Sequence, residues 1–204
     1  MSTHVTKIAD CAEILPGYSL QVRAEHEPGG SHQVIMGKHL TNVEVYRYSE
    51  KHELCITPSR SLEKYRVQSG DVLFVSRGIR NHATLLKSVP EKTIASATFY
   101  IMHPREGIDP GYLAWCLNQA PIQARISQVR TGAGTPIVQR KIFADIKIPV
   151  PSMDKQKQLA ALGSLMTKEQ QLQQKLVEET IKLHRAWGQQ LFRTLTTETK
   201  QDQR

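Results

Sequence analysis

The sequence predicts an α+β fold: a mixed globular domain over residues 1–151, then one long C-terminal helix over 152–204. Three observations predict it. Up to Pro151, short apolar runs alternate with Gly, Pro and polar turns; beyond it, Gly163 and Gly188 are the only residues of either type. Several early runs are β-branched and aromatic, as strands are. The late apolar residues recur at gaps mostly of three, four or seven, which places them on one helical stripe.

The elements follow in order. Glu27-Pro28-Gly29-Gly30-Ser31 reads as a loop. Leu54-Cys55-Ile56-Thr57, Asp71–Val75 and Thr93–Met102 read as strands, with Ser69-Gly70-Asp71 as the turn before the second. Asp109-Pro110 starts a helix, because Asp can cap and Pro suits the first helical position. That helix runs through Tyr112 and Trp115, two core positions by their spacing, to Leu117. Pro121 opens a second short helix through Ile122, Ile126 and Val129, which ends in the loop Thr131–Pro136. Ile146-Lys147-Ile148-Pro149 is a last strand-like piece whose proline limits its ladder bonding.

The long helix follows, with Ser152 able to cap it and Asp154 in its first turn, where a negative charge opposes the helix dipole. Leu159, Leu162, Met166, Leu172, Leu176, Leu183, Trp187, Leu191 and Leu195 form the stripe, and glutamines fill much of the rest. About 43 helical residues span ~65 Å, longer than the globular part can cover. Such a helix needs a partner helix, and Leu162, Met166, Leu172, Leu176, Leu183, Trp187 and Leu191 are the expected pairing positions. Glu169 and Thr180 interrupt the stripe, so the pairing is coiled-coil-like rather than regular. A hairpin folded back near Gly188 is the alternative.

Composition narrows the function. The 204 residues carry a formal charge of +8 and a 39% hydrophobic share, which fits a chain with a real core and excludes disorder. No apolar run approaches the ~18 residues of a membrane span, and the first ten residues are too polar for a signal peptide. Three scattered cysteines point to a reducing, cytoplasmic setting. Positive charge is focused: seven Lys/Arg against three Asp/Glu from Arg60 to Lys92, and five against one from Ile122 to Lys147. Focused positive charge on a folded domain attracts polyanions, nucleic acid above all.

Catalytic signatures are missing. The histidines are scattered and there is no Cys-x-x-Cys, so no metal site is expected. Gly132-Ala133-Gly134 lacks the Lys-Ser/Thr of a phosphate loop, and Gly17-Tyr18-Ser19-Leu20-Gln21 lacks the second Gly of a nucleophile elbow. There is also no Asn/Asp-Pro-Pro-aromatic motif of the kind an amino-methyltransferase carries. A non-catalytic chain without a cofactor of its own is the expectation.

The most informative stretch runs from Gly70 to Ala83, where an apolar strand delivers Arg77, Arg80, Asn81 and His82 into a Gly-containing turn. Arg can grip guanine, and Asn adenine, through paired hydrogen bonds. The same residues also fit a plain surface turn.

This succession resembles the target-recognition domain of type I restriction–modification specificity subunits. Thr6–Ile14 followed by Gly17-Tyr18 is similar to that family's first strand and turn, and Gly70–Phe74 with Arg77-Gly78 to its "GDvLf…rG" signature. Asp109–Asn118 resembles its "yLyylL" helix. Gly132–Ile137, Ile146–Pro151 and Gln156–Ala160 resemble its junction between recognition domain and conserved helix. Family members usually carry two recognition domains and two such helices; this chain has one of each, a half-length form.

The resemblance implies a non-catalytic reader of double-stranded DNA that recognises one half of a bipartite site. Residues 1–151 would be the recognition domain and 152–204 the pairing and spacing helix. It would work as a homodimer or with another half-subunit; two identical halves would read an interrupted palindrome. A separate modification subunit would bring S-adenosylmethionine and methylate adenine, and a motor subunit would cleave. Arg77, Arg80, Asn81 and His82 are the first candidate base readers, followed by Arg130, Gln139 and Arg140. Lys38, His39, Thr41 and Asn42 could contribute from another loop. Lys87, Lys92, Arg125, Lys141 and Lys147 suit phosphates or are ordinary surface charges. The rival reading is a protein-interaction scaffold that works through its Gln-rich helix.

Overall fold

The computed structural model describes residues 3–20, 25–40, 43–59 and 61–201, the last seven as backbone only. The chain divides into two compact units, Met1–Gly163 and Ser164–Arg204. In chain order the first unit carries β1 (His4–Lys7), α1 (Ile8–Cys11), β2 (Ala12–Pro16), β3 (His32–Ile35), β4 (Val45–Arg47) and β5 (Cys55–Ile56). It continues with β6 (Val72–Val75), β7 (Ala83–Ser88), β8 (Thr93–Ala95), β9 (Phe99–Pro104), α2 (Pro110–Leu117) and α3 (Ala120–Gln128). It ends with β10 (Arg130–Thr131), β11 (Ile137–Val138), α4 (Arg140–Asp145) and β12 (Lys147–Val150). Single 3₁₀ turns occur at Gly37–Leu40, Glu50–His52 and Glu63–Tyr65. The helix α5 (Met153–Gln201) starts in the first unit and forms the described part of the second.

A five-stranded sheet in the order β2-β9-β6-β7-β4 organises the first unit. Its pairs are antiparallel except β4 with β7. The central strand β6, Val-Leu-Phe-Val, is buried throughout, because the sheet is covered on both faces and both sets of alternate side chains need apolar surroundings. Val72 and Phe74 join Tyr100 and Met102 of β9 in a core closed by α2, α3 and α4. Leu73 and Val75 face the other way, with Phe99, Ile101, Leu86, Ile35, Leu40 and Tyr46. The register Phe74–Tyr100 and Leu73–Ile101 sorts these side chains. Each fully buried Phe, Leu or Ile contributes ~1.5–3 kcal/mol. A smaller sheet, β5-β3-β8, has its own cluster of Val34, Leu54, Leu62 and Ile94.

Several predicted elements form as expected. Asp109 caps α2, its Oδ1 accepting from the Tyr112 N–H at 2.8 Å, with Pro110 in the first turn. β12 pairs antiparallel with β1 alone, in a two-stranded ribbon that places Pro149 opposite Val5. Tyr112 is buried and Trp115 packs partly buried against the same core.

Others differ. The opening segment is not a strand and turn: a single helical turn, α1, separates β1 from β2. Ile8 and Cys11, three residues apart, both reach the core, and Asp10 Oδ2 accepts from Thr6 Oγ1 at 2.8 Å and from the Lys7 N–H at 3.3 Å. The apolar run Thr93–Met102 is two strands in two different sheets. Between them the Phe99 N–H donates to Ser96 O at 3.0 Å, and Tyr18 O accepts from the Ala97 N–H at 2.7 Å. β7 and α4 have no counterpart in the sequence reading.

At the foot of β6, the buried Asp71 accepts from His103 Nδ1 at 2.8 Å and from the Gln68 N–H at 2.8 Å. That hydrogen bond raises the His103 imidazole above its usual 6.5, against the effect of burial. Protonated His103 is therefore favoured in the fold. Its contribution to stability is complete below pH 6.5 and is lost as pH rises through the raised folded value. The denaturation midpoint is expected to fall over that window, and His103→Gln to flatten the dependence.

The first turns of α5 are locked into the first unit. Gln156 is buried; its Oε1 accepts from the Asp109 N–H at 2.9 Å, and its Nε2 donates to Gly107 O at 3.0 Å and Pro151 O at 2.9 Å. A Cβ at Gly163 would lie 2.8 Å from Trp115 Nε1 and closer still to Cδ1. Gly→Ala in a helix ordinarily stabilises by about 1 kcal/mol. Here the sign should reverse: Gly163→Ala is expected to destabilise by ~1–3 kcal/mol through overpacking. Gly188→Ala, with nothing within 4 Å of the added carbon, should not. Thermal unfolding of both variants checks the contrast.

Among the described residues the second unit is helix alone, unbroken through Gly188, so no hairpin forms there. Gln173 donates to Glu169 at 3.2 Å, and Lys182 pairs with Glu179 at 2.8 Å, along its surface. Leu172, Leu176, Leu183, Trp187 and Leu191 are all exposed, as are Leu162 and Met166. No helix among the described residues is long and apolar enough to cross a membrane.

Candidate nucleic-acid interface

The turn after β6 is built by its own backbone and by one buried amide. The Val75 N–H donates to His82 O at 2.9 Å, and Asn81 Nδ2 donates to Val75 O at 2.9 Å. Asn81 is only 4% exposed, so its amide holds the turn and does not face solvent. Ser76 ties the turn to the neighbouring strand connection, its N–H and Oγ both reaching Thr98 O, at 2.9 and 3.0 Å. Gly78 takes φ +92, a left-handed conformation that glycine adopts without a Cβ penalty.

A second loop is stapled to this turn. The Gly78 N–H donates to Pro136 O at 2.7 Å, the Val138 N–H to Ser76 O at 2.9 Å, and Arg77 bridges Ile137. Arg130 Nη1 donates to Ile79 O at 2.8 Å. Tyr100 Oη donates to Val138 O at 2.6 Å beneath them. The segments 76–82 and 130–138, far apart in sequence, thus form one hydrogen-bonded tip. Arg77, Ile79 and Arg80 are exposed on it, with Gln139, Arg140 and Lys141 exposed where the second loop enters α4. Burial pushes the Tyr100 phenol up, while the charges of Arg140 and Arg77 pull it down, so both guanidiniums act on the same ring. The one acidic residue of the 122–147 stretch, Asp145, is paired with Lys7 at 2.7 Å and leaves the arginines' charge in place.

His82 links a third segment. Its Nε2 lies 2.6 Å from Leu40 O, which sets the Gly37–Leu40 turn, with exposed Lys38, against the base of the tip. His39 is buried, stacks on His52 at 5.4 Å, and has its pKa pushed down to about 4 by burial, so it adds no charge at neutral pH. Thr41 and Asn42 lie outside the described residues. Lys87 stands four residues along β7 from its start, roughly 13 Å from Ala83. Arg125 Nη1 donates to Lys147 O at 2.8 Å. One residue without an assigned role in the sequence reading matters here. Asn118, at the end of α2, accepts from the Ala83 N–H at 2.8 Å and donates to Ala83 O at 2.9 Å, anchoring the exit of the turn. Its position just past a helix end was the only available signal.

The tip concentrates exposed positive charge. Among the described residues, no group of three or more His, Cys, Asp or Glu could hold a metal. A cavity of about 310 Å³ lies elsewhere, lined by Leu15, Glu63, Lys64, Arg66, Val67, Gln68 and His103, none of them a candidate reader.

Comparison with known proteins follows the same line. The structure is similar to a type I restriction–modification S subunit from M. genitalium, at 12% identity and a TM-score of 0.55, covering 82% of this chain and 40% of that one. It is similar to a chain from a structure titled for complex assembly and conformational transition of the type I R-M system, at 14% identity and a TM-score of 0.62, covering 82% and 38%. It also resembles an HsdS subunit from Thermoanaerobacter tengcongensis, at 14% identity and a TM-score of 0.54, covering 82% and 37%. The chain therefore spans about two fifths of the length of these structures. No curated protein matches it. The family described as "Type I restriction modification DNA specificity domain" matches residues 4–179, nearly the whole of the first unit and the start of the second, and the chain belongs to that family.

Proposed function

We propose that the first unit reads one half of a bipartite DNA site and that α5 pairs with a second helix to set the distance to the other half. The observation that carries this is the stapled tip: exposed Arg77 and Arg80 on a rigid turn, with Arg140 and Lys141 beside it. Rigid placement suits base reading, because a bidentate Arg–guanine contact needs its donors fixed relative to the groove. Lys38, Gln139 and Lys141 are assigned to flanking phosphate or base contacts, and Asn81 and His82 to shaping the turn. Lys87 is assigned to phosphate contact away from the tip.

The exposed stripe of α5, from Leu162 and Met166 through Leu172, Leu176 and Leu183 to Trp187 and Leu191, is assigned to pairing with a second copy or another half-subunit. In this reading the chain itself catalyses nothing. A modification subunit brings S-adenosylmethionine and methylates adenine at the site that the pair selects, and a motor subunit acts on unmodified DNA. Selection of duplexes from a random library by the full chain tests the reading. Recovery of a consensus, with affinity that falls steeply with salt, is expected. Uniform retention of all sequences, or no retention at any salt, would overturn it; retention of protein partners alone would favour a scaffold acting through the Gln-rich helix.

A further inference from the structure

The tip also carries an apolar residue that the fold does not need. Ile79, between Gly78 and Arg80, is 72% exposed. What holds its segment in place acts on the main chain: the Arg130 guanidinium donates to the Ile79 carbonyl, and the Gly78 N–H to Pro136 O. The isoleucine side chain plays no part in either bond. An apolar group held rigidly in water between two exposed arginines is matched to a target both anionic and locally apolar. The major groove of duplex DNA is such a surface: phosphates line it, and each thymine presents a 5-methyl group beside the acceptors that arginine grips.

We propose that Ile79 reads a thymine by packing on its 5-methyl group, next to the bases contacted by Arg77 and Arg80. The inference rests on the DNA-reading function above. It makes Ile79 a specificity-determining residue whose contribution is independent of charge and insensitive to salt.

Uracil in place of thymine removes the methyl and nothing else, so a cycle of Ile79→Ala against thymine→uracil isolates the contact. The full chain and a duplex selected by it are the materials. Uracil at one thymine position is expected to weaken wild-type binding about fourfold, the value of one buried methyl. It should leave Ile79→Ala unaffected and weaken Ile79→Val as it does wild type. If every thymine tolerates uracil, or if the loss is the same in Ile79→Ala, Ile79 does not read a methyl while the DNA-reading function stands. If no duplex is selected at all, the DNA-reading function falls and this contact with it. Ile79 makes no core contact, so an unfolded variant does not confound the result.

Discussion

Replacing Phe143 by alanine is expected to destabilise the first unit by about 3–5 kcal/mol, the range for truncating a buried Phe. Phe143 is fully buried on α4, its ring 4.2 Å from that of Phe74 and 5.9 Å from that of Tyr100. The cavity would open beneath Tyr100, whose hydroxyl holds Val138 and with it the second loop of the tip. The loss should therefore exceed that of a comparable truncation remote from the tip in one respect: residual folded protein should bind DNA more weakly. Chemical denaturation gives the first quantity, and titration of DNA under native conditions the second. A midpoint within error of wild type would contradict the packing of Phe143 against Phe74.

The double variant Arg77→Ala, Arg80→Ala is expected to remove most sequence discrimination while leaving the fold intact, with only the thymine preference of Ile79 remaining. Both side chains are exposed, and the bonds that build the turn belong to the backbone and to the side chains of Ser76, Asn81, His82 and Arg130. Each bidentate guanine contact contributes ~1–3 kcal/mol of discrimination, about 5- to 150-fold in affinity. The variant should keep only about fourfold preference for the selected duplex over a scrambled one, with an unchanged unfolding midpoint. Lys141→Ala should behave differently, weakening both duplexes together and lowering the salt slope by about one. Undiminished preference in the double variant would move base reading to another surface.

The sequence made the fold class legible for local reasons. Asp109-Pro110 is a capping signal that needs no tertiary knowledge, and β6 is apolar at every position because it lies at the sheet centre. β7 was not legible: Ala-Thr-Leu-Leu-Lys-Ser has little alternation, and its place is fixed by β6 and β4 on either side. The break at Ser96 was hidden for a related reason. Thr93–Met102 has no charge, Gly or Pro to mark the break, because both halves are buried, though in different sheets. At the candidate site, Arg77 and Arg80 were legible as charges in a glycine turn. The burial of Asn81 was not, since an exposed reader and a buried turn-former share the same residue type. The union of 76–82 with 130–138 is long-range and rests on backbone bonds and on the Arg130 guanidinium meeting a backbone carbonyl, which leave no trace in side-chain pattern.

Amide hydrogen exchange of the full chain, with and without a selected duplex, shows which surface DNA covers. New protection is expected in residues 76–82 and 130–140, with the β5-β3-β8 sheet unchanged. Protection confined to that sheet, with the stapled tip exchanging as in the free chain, would contradict DNA reading by the tip.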